Sequence, residues 1–134
     1  MANRKIKFRE IELESGTKIL LGRNEENNDE LMKKFKGKEN IILHTVAPGS
    51  PFCVIYDLKP SKHIINISGG ACASYSQDWR DNKKDVDMNI FTGKDVSKRM
   101  WMKTGTWKVK KAKKIKVKKE DIIKFEKKQR KWQK

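Results

Sequence analysis

Ile41-Ile42-Leu43-His44-Thr45-Val46-Ala47-Pro48-Gly49-Ser50-Pro51-Phe52-Cys53-Val54-Ile55-Tyr56 reads as two apolar strands around a turn. Pro-Gly-Ser-Pro breaks any regular element, and mostly apolar or β-branched residues flank it on both sides, so an antiparallel hairpin is expected. Pro60 closes its second strand. Upstream, Lys18-Ile19-Leu20-Leu21-Gly22 is a short buried strand, preceded by a Ser15-Gly16 turn. Ile6 and Phe8 alternate, as do Ile11 and Leu13, but the two pairs are out of phase by one residue. That slip predicts a first strand with a bulge or break near Arg9-Glu10, hairpinned to the next. Between the hairpins, Asn24 is a good helix N-cap, and Glu25 and Glu26 suit a first turn. Leu31, Met32 and Phe35 then give the helix its apolar side to about Lys36, and Gly37 ends it.

Downstream, Ile64 to Arg80 reads as one helix rich in small residues. Its Gly69-Gly70 pair costs about 1 kcal/mol per glycine relative to alanine. Close packing is the expected reason, since no Gly-x-x-x-x-Gly-Lys pattern is present to make a phosphate loop. After a loop at Asp81–Lys84, Val86, Met88 and Ile90 alternate with other residues as a half-buried strand. Gly93-Lys94-Asp95 is a turn, and Val96–Met100 a short helical or irregular piece. Trp107-Lys108-Val109 and Ile115-Lys116-Val117 are further strands, and a last helix from Asp121 would place Ile122, Phe125 and Trp132 roughly on one side. The order predicts an α+β fold: one domain with a mainly antiparallel sheet and helices on one face. Its expected limits are residues 1–110, followed by a basic C-terminal extension, 111–134, with a terminal helix.

The charge is lopsided. Of a formal net charge of +16, residues from Lys94 onward carry +14, with 18 Lys and Arg against 4 Asp and Glu. Such asymmetry is expected of a protein that meets a polyanion. No apolar run approaches the ~20 residues of a membrane span, and the N-terminus does not read as a signal peptide, so a cytoplasmic location and no membrane partner are expected. Cys53 and Cys72 read as reduced, buried hydrophobes. With His44 and His63 they do not match a zinc-site spacing, so no metal is assigned. No small-molecule substrate or cofactor is expected either.

Several blocks together resemble the NFACT-R domain. This is the RNA-binding module in the C-terminal part of ribosome quality-control factors and of fibronectin-binding-like proteins. The opening block is Ile19-Leu20-Leu21-Gly22-Arg23-Asn24, followed by Asn28-Asp29-Glu30-Leu31. Next come Leu43-His44 with Pro48-Gly49-Ser50, then the small-residue helix Ala71-Cys72-Ala73-Ser74-Tyr75-Ser76. Asp87-Met88-Asn89-Ile90-Phe91-Thr92 with Val96 and Lys98, and Gly105-Thr106-Trp107-Lys108-Val109, complete the series. The resemblance spans about residues 15–110. It implies RNA binding with a ribosome or tRNA context. The parts of those factors that recruit tRNA or form coiled-coil arms have no counterpart here, so their tailing activity is not expected.

The residue types suggest where RNA would bind. Gly22-Arg23-Asn24 sits between a strand end and a helix start, where backbone N–H groups and a guanidinium suit phosphate. The alternative is a turn with a cap and a surface arginine. His44, near the turn at Gly49 and Ser50, could contact phosphate or base, or could be a hairpin histidine bonded to backbone. Lys94, Lys98, Arg99 and Lys103 are interleaved with Trp101 and Trp107, a pattern that suits looped RNA. Of these rings Trp107 reads as core, as does Trp79, while Trp132 could stack or anchor a helix. Lys108, Lys110, Lys111, Lys113, Lys114 and Lys116 would bind phosphates by counterion release; six such contacts give a log–log salt slope near −5 on a duplex.

The leading expectation is a non-enzymatic protein that binds structured RNA, rRNA or tRNA. A DNA- or nucleoid-associated protein uses the same charge and is the alternative. A nucleic-acid-processing enzyme built on His44 and a carboxylate comes third, because no catalytic spacing supports it.

Overall fold

Ile19, Leu21, Ile42, Leu43, Val54 and Ile55 have no exposed surface, although Ile42 and Leu43, like Val54 and Ile55, are consecutive in extended chain. Neighbours in a strand point to opposite faces, so this sheet must be covered on both. The computed structural model describes the backbone of residues 7–132 and the side chains of residues 7–128. Its elements are β1 (Arg9–Glu12), β2 (Lys18–Leu21), α1 (Glu25–Phe35), β3 (Ile41–Thr45), β4 (Cys53–Ile55), α2 (Lys62–Ser74), α3 (Gln77–Asn82) and β5 (Val86–Thr92). A 3-10 turn at Gly93–Asp95 leads to β6 (Val96–Ser97), β7 (Lys108–Val109), β8 (Lys113–Val117) and α4 (Lys119–Trp132). Six strands form one antiparallel sheet in the order β1-β2-β4-β3-β5-β8, and β6 and β7 form a separate ribbon. The fold is α+β, with a mainly antiparallel sheet and helices packed on it.

The helices do not all lie on one face, as expected above. Leu31, Met32 and Phe35 of α1 pack on Ile42, Val54 and Phe91, joined by Val96 and Trp107 from the ribbon side. Ile64 and Ala71–Ala73 of α2, Trp79 of α3, and Ile122 and Phe125 of α4 pack on Ile19, Leu21, Leu43, Ile55 and Met88 from the other side. The phase slip in the first strand has the same cause. Pairing from Arg9↔Leu21 to Glu12↔Lys18 is unbroken, so there is no bulge near Arg9-Glu10. Instead Phe8 joins the α1 cluster, while Ile11 and Leu13 join the other. Ile6 lies outside the described residues.

Other elements also differ from expectation. The single helix from Ile64 to Arg80 is two, because Ser76 ends one and starts the next. Its hydroxyl donates to the Ala73 carbonyl (2.6 Å) and accepts from the Trp79 amide (3.1 Å), a local bond that competes with the helical ladder. The piece after Gly93 is the 3-10 turn, closed by a Thr92–Asp95 capping box, and then strand β6. The strands expected at Trp107 and Ile115 both form: β7 pairs with β6, and β8 with β5.

Residues beyond 110 fold onto the body. Val117 of β8 is 2 % exposed and Ile122 of α4 is fully buried. The expected packing role of the double glycine is met here. A Cβ at Gly69 would lie 3.0 Å from Val117 Cγ2, and one at Gly70 would lie 3.1 Å from the Asp121 carbonyl oxygen. Glycine therefore lets α2 approach both β8 and α4. Truncating Ile122 to alanine should cost about 2–5 kcal/mol, the range for burying a cavity in a core. Urea unfolding should show a lowered midpoint with one shared transition; a small effect would mean that α4 is peripheral.

Candidate nucleic-acid interface

At the end of β2 the chain is pulled tightly against its neighbour. The Gly22 amide donates to the Phe52 carbonyl (3.2 Å), and the Phe52 amide donates to Asn28 Oδ1 (3.1 Å). A Cβ at Gly22 would overlap Asn28 Oδ1, so glycine is required for the buckle between α1 and β4. Asn24 caps α1, as expected, by accepting from the Asn27 amide (2.8 Å), and Asn27 Oδ1 accepts from the Arg23 amide (2.9 Å).

This fixed corner forms one wall of a cleft of about 330 Å³, lined by Arg9, Gly22, Arg23, Asn24, Glu25, Asn28, Gly49, Ser50, Pro51, Tyr75 and Arg80. Arg23, Asn24, Gly49 and Ser50 were expected near RNA, and the fold brings all four together. Arg9, Tyr75 and Arg80 were not anticipated. The Arg9 guanidinium lies 4.4 Å from the Tyr75 ring centre. Arg80 donates to Gln77 Oε1 (3.0 Å) and the Tyr75 carbonyl (3.4 Å), while the Gln77 amide donates to the Gly49 carbonyl (2.8 Å). The turn is thereby pinned to α3. No salt bridge among the described residues engages Arg9, Arg23 or Arg80. Three arginines around a cleft that includes the start of α1, with Glu25 the one lining carboxylate, can hold a phosphate by paired hydrogen bonds.

His44 is not part of this cleft. Its ring stacks on Phe52, with centroids 4.2 Å apart and planes at 22°. Burial lowers its pKa from 6.5 to about 4, and backbone bonds near Ser50 and Thr45 only partly oppose this. A neutral, stacked imidazole brings no cation to a phosphate at neutral pH.

The segment from Lys98 to Trp107 is held by one carboxylate oxygen. Asp29 Oδ1 accepts from Lys98 Nζ (3.1 Å), the Gly105 amide (2.9 Å) and Trp107 Nε1 (2.9 Å). Partial burial would raise the Asp29 pKa, but these donors and the Lys98 charge outweigh it, and the net shift is downward. Lys98 Nζ also donates to the Lys103 and Thr106 carbonyls at 2.8 and 2.9 Å. All three ammonium donors are thus used internally, and Lys98 acts as a strut. Trp107 is core, as expected, and so is Trp79. Trp101 is exposed, with Arg99 5.7 Å from its ring centre; Arg99 and Lys103 are exposed beside it. Lys94 pairs with Glu39 at 2.9 Å on the surface. The side chain of Trp132 lies outside the described residues.

The lysine run is spread over several elements. Lys108 is exposed on β7, and Lys110 and Lys111 are exposed between β7 and β8. On β8, Ile115 and Val117 face the α2 side, so Lys114 and Lys116 fall on the α1 side by alternation. Cross-strand pairing places Lys114 in a row with Asn89 and His44, beyond the part of that face covered by α1. Lys113 is exposed at the strand's start, and Lys116 lies 4.0 Å from Asp87.

A larger groove of about 560 Å³ lies between β1 and α2/α4, and Glu10, Glu12, Glu14 and Asp121 line it. Four carboxylates make it a poor host for phosphate. His63 is also there, apart from His44, and Cys53 and Cys72 are both buried and free. Among the described residues no three His, Cys, Asp or Glu side chains converge as metal ligands.

An antiparallel sheet with helices on both faces, a cleft lined by three arginines, an exposed tryptophan and lysine-bearing edge strands are features that suit a nucleic-acid-binding module. Comparison with protein families makes this specific: residues 7–111 match the model of the NFACT protein RNA binding domain, and the chain belongs to that family. Among solved structures, it is similar to the C-terminal part of the fibronectin/fibrinogen-binding protein from Streptococcus suis, at 26 % identity and a TM-score of 0.76. That similarity covers 92 % of this chain and 49 % of the other, so this chain spans about half of its solved relative. Comparison with curated proteins gives no match.

Two measurements follow from this geometry. Asp29→Ala removes the counter-charge of the Lys98 ammonium, which keeps its two carbonyl acceptors, and leaves the Trp107 indole N–H and the Gly105 amide without an acceptor; it should cost about 1–3 kcal/mol. Limited trypsinolysis should then cut at Arg99 or Lys103 much faster than in the native protein; unchanged cutting would mean that Asp29 does not hold the segment. For His44, the folded pKa lies below the unfolded one, so its contribution is complete above pH 6.5 and is lost as pH falls toward 4. Stability should drop by about 2 kcal/mol between pH 7 and 5. His44→Gln should flatten that part of the profile, and an equally steep profile in the variant would assign the loss elsewhere.

Proposed function

We propose that the protein binds structured RNA of the translation apparatus, rRNA on the ribosome or tRNA, without catalysing a reaction on it. The proposal places it in the cytoplasm, in translation or ribosome quality control. RNA binding is the property of its domain family. The observation that carries the reading is the cleft where Arg9, Arg23 and Arg80 meet the start of α1 and the Gly49–Ser50 turn. Arginines gathered in this way fix one phosphate in register, while exposed lysines on β7 and β8 supply sequence-independent affinity. Structured RNA suits this division, because it presents phosphates at fixed irregular positions as well as along its grooves. Duplex DNA offers the lysines the same charge, so competition between the two nucleic acids is the informative comparison.

Binding to ribosomes, tRNA and a DNA duplex should be measured across salt. Saturable binding to ribosomes or tRNA, resistant to duplex DNA competitor, is expected. Arg9→Gln and Arg23→Gln should each weaken the preferred RNA several-fold and flatten the log–log salt slope by nearly one unit. Replacing Lys110, Lys111, Lys113 and Lys114 with glutamine should weaken all polyanions alike. Preference for DNA, or no saturable RNA binding at low salt, would overturn the proposal.

A further inference from the structure

We propose that Trp101 is a stacking platform for one unpaired nucleobase of an RNA whose backbone also engages the arginine cleft. This rests on the RNA-binding reading and narrows its ligand to RNA with an unstacked base, in a loop, bulge or end. Trp101 is 79 % exposed and Met100 wholly so, whereas Trp79 and Trp107 are 2 % and 8 % exposed. Water does not favour an open indole, so packing within this chain does not account for its position.

The segment that carries Trp101 is braced rather than loose. Lys98 is bonded three ways at its root, and the Met102 and Thr106 amides close turns onto the Arg99 and Lys103 carbonyls at 3.0 Å each. A ring carried on a braced loop loses less entropy when a base lies on it than one on a loose loop. Arg99 sits toward the ring at 5.7 Å, which adds a cation beside the stacking face.

Position supplies the second half of the site. A Cβ at Gly105 would be 3.0 Å from the Glu25 Cβ, so the loop rests on the first turn of α1. Glu25 also lines the arginine cleft, so the loop that carries Trp101 and the cleft share this turn. A ring and a phosphate pocket joined through one turn offer a single RNA strand both a stacking face and a guanidinium site. A continuous duplex buries its base faces by stacking and can satisfy the cleft but not the ring. An exposed indole could instead enter a lipid headgroup layer; cationic neighbours without a broad apolar helix face favour nucleic acid.

The test compares a stem-loop RNA with a blunt duplex of the same stem, using native protein and the Trp101→Ala and Trp101→Phe variants. Trp101 makes no core contact, so all three should unfold at the same midpoint. Trp101→Ala should lose roughly 5- to 150-fold on the stem-loop and little on the duplex, and Trp101→Phe should retain most of the affinity. Equal losses on both RNAs, or none, would overturn this proposal and leave RNA binding intact. Failure of the native protein to bind either RNA would remove both readings. Co-sedimentation with anionic vesicles is the control: vesicle binding lost in Trp101→Ala, with stem-loop binding unchanged, would replace the base with a lipid surface.

Discussion

The sheet is buried on both sides, and the layout of the molecule follows from that. Ile42 and Leu43 of β3 face opposite clusters, as do Val54 and Ile55 of β4, and none of them has exposed surface. A one-layer cover would leave one of each pair in water, at about 1.5–3 kcal/mol per large side chain. α1 and the β6–β7 ribbon therefore close one side, and α2, α3 and α4 close the other. Charge is pushed to the edges. The β1 edge carries Glu10 and Glu12, whereas β8 at the opposite edge carries Lys113, Lys114 and Lys116. The polarity of the surface is thus a property of strand order as much as of composition.

Local signals were readable from the chain. The Pro48–Pro51 turn, the Asn24 cap, the Gly37 stop and the alternation from Val86 to Ile90 each depend on residues within a few positions, and each forms. The charge asymmetry toward the C-terminus was equally plain. What could not be read is what depends on partners distant in sequence. Arg9, Arg23, Tyr75 and Arg80 converge only because β1 lies beside β2 and α3 is pinned to the Gly49 turn. Nothing near Arg9 or Arg80 distinguishes them from ordinary surface arginines. Even the phase slip at Arg9-Glu10, visible in the sequence, took its meaning from the second covered face, which one strand alone cannot disclose.

The basic residues also sort by a rule invisible to composition. Lys98 and Arg99 are adjacent, yet the first has all its donors used by Asp29 and two carbonyls, while the second is exposed beside Trp101. The difference lies in Asp29, which is far away in sequence. Of the residues expected to meet RNA, Lys98 braces the Lys98–Trp107 segment and His44 packs against Phe52, so each serves packing without presenting a free charge. Counting cations overstates the number that can release counterions.

Asp29 also explains why an exposed tryptophan is compatible with a defined surface. Its one oxygen accepts from an ammonium, an amide and an indole, so the ends of the Lys98–Trp107 segment close onto α1 at a single point. Because the carboxylate stays ionised at all but acidic pH, the charge-assisted bonds persist through the physiological range. The same helix that this oxygen belongs to begins at the arginine cleft. Shifting α1 would therefore move the loop and one wall of the cleft, while Arg9 on β1 and Arg80 on α3 stayed in place, so the packing of Leu31, Met32 and Phe35 on the sheet keeps the two walls and the loop together. The two halves of the candidate RNA surface are in this way held in register by the hydrophobic core.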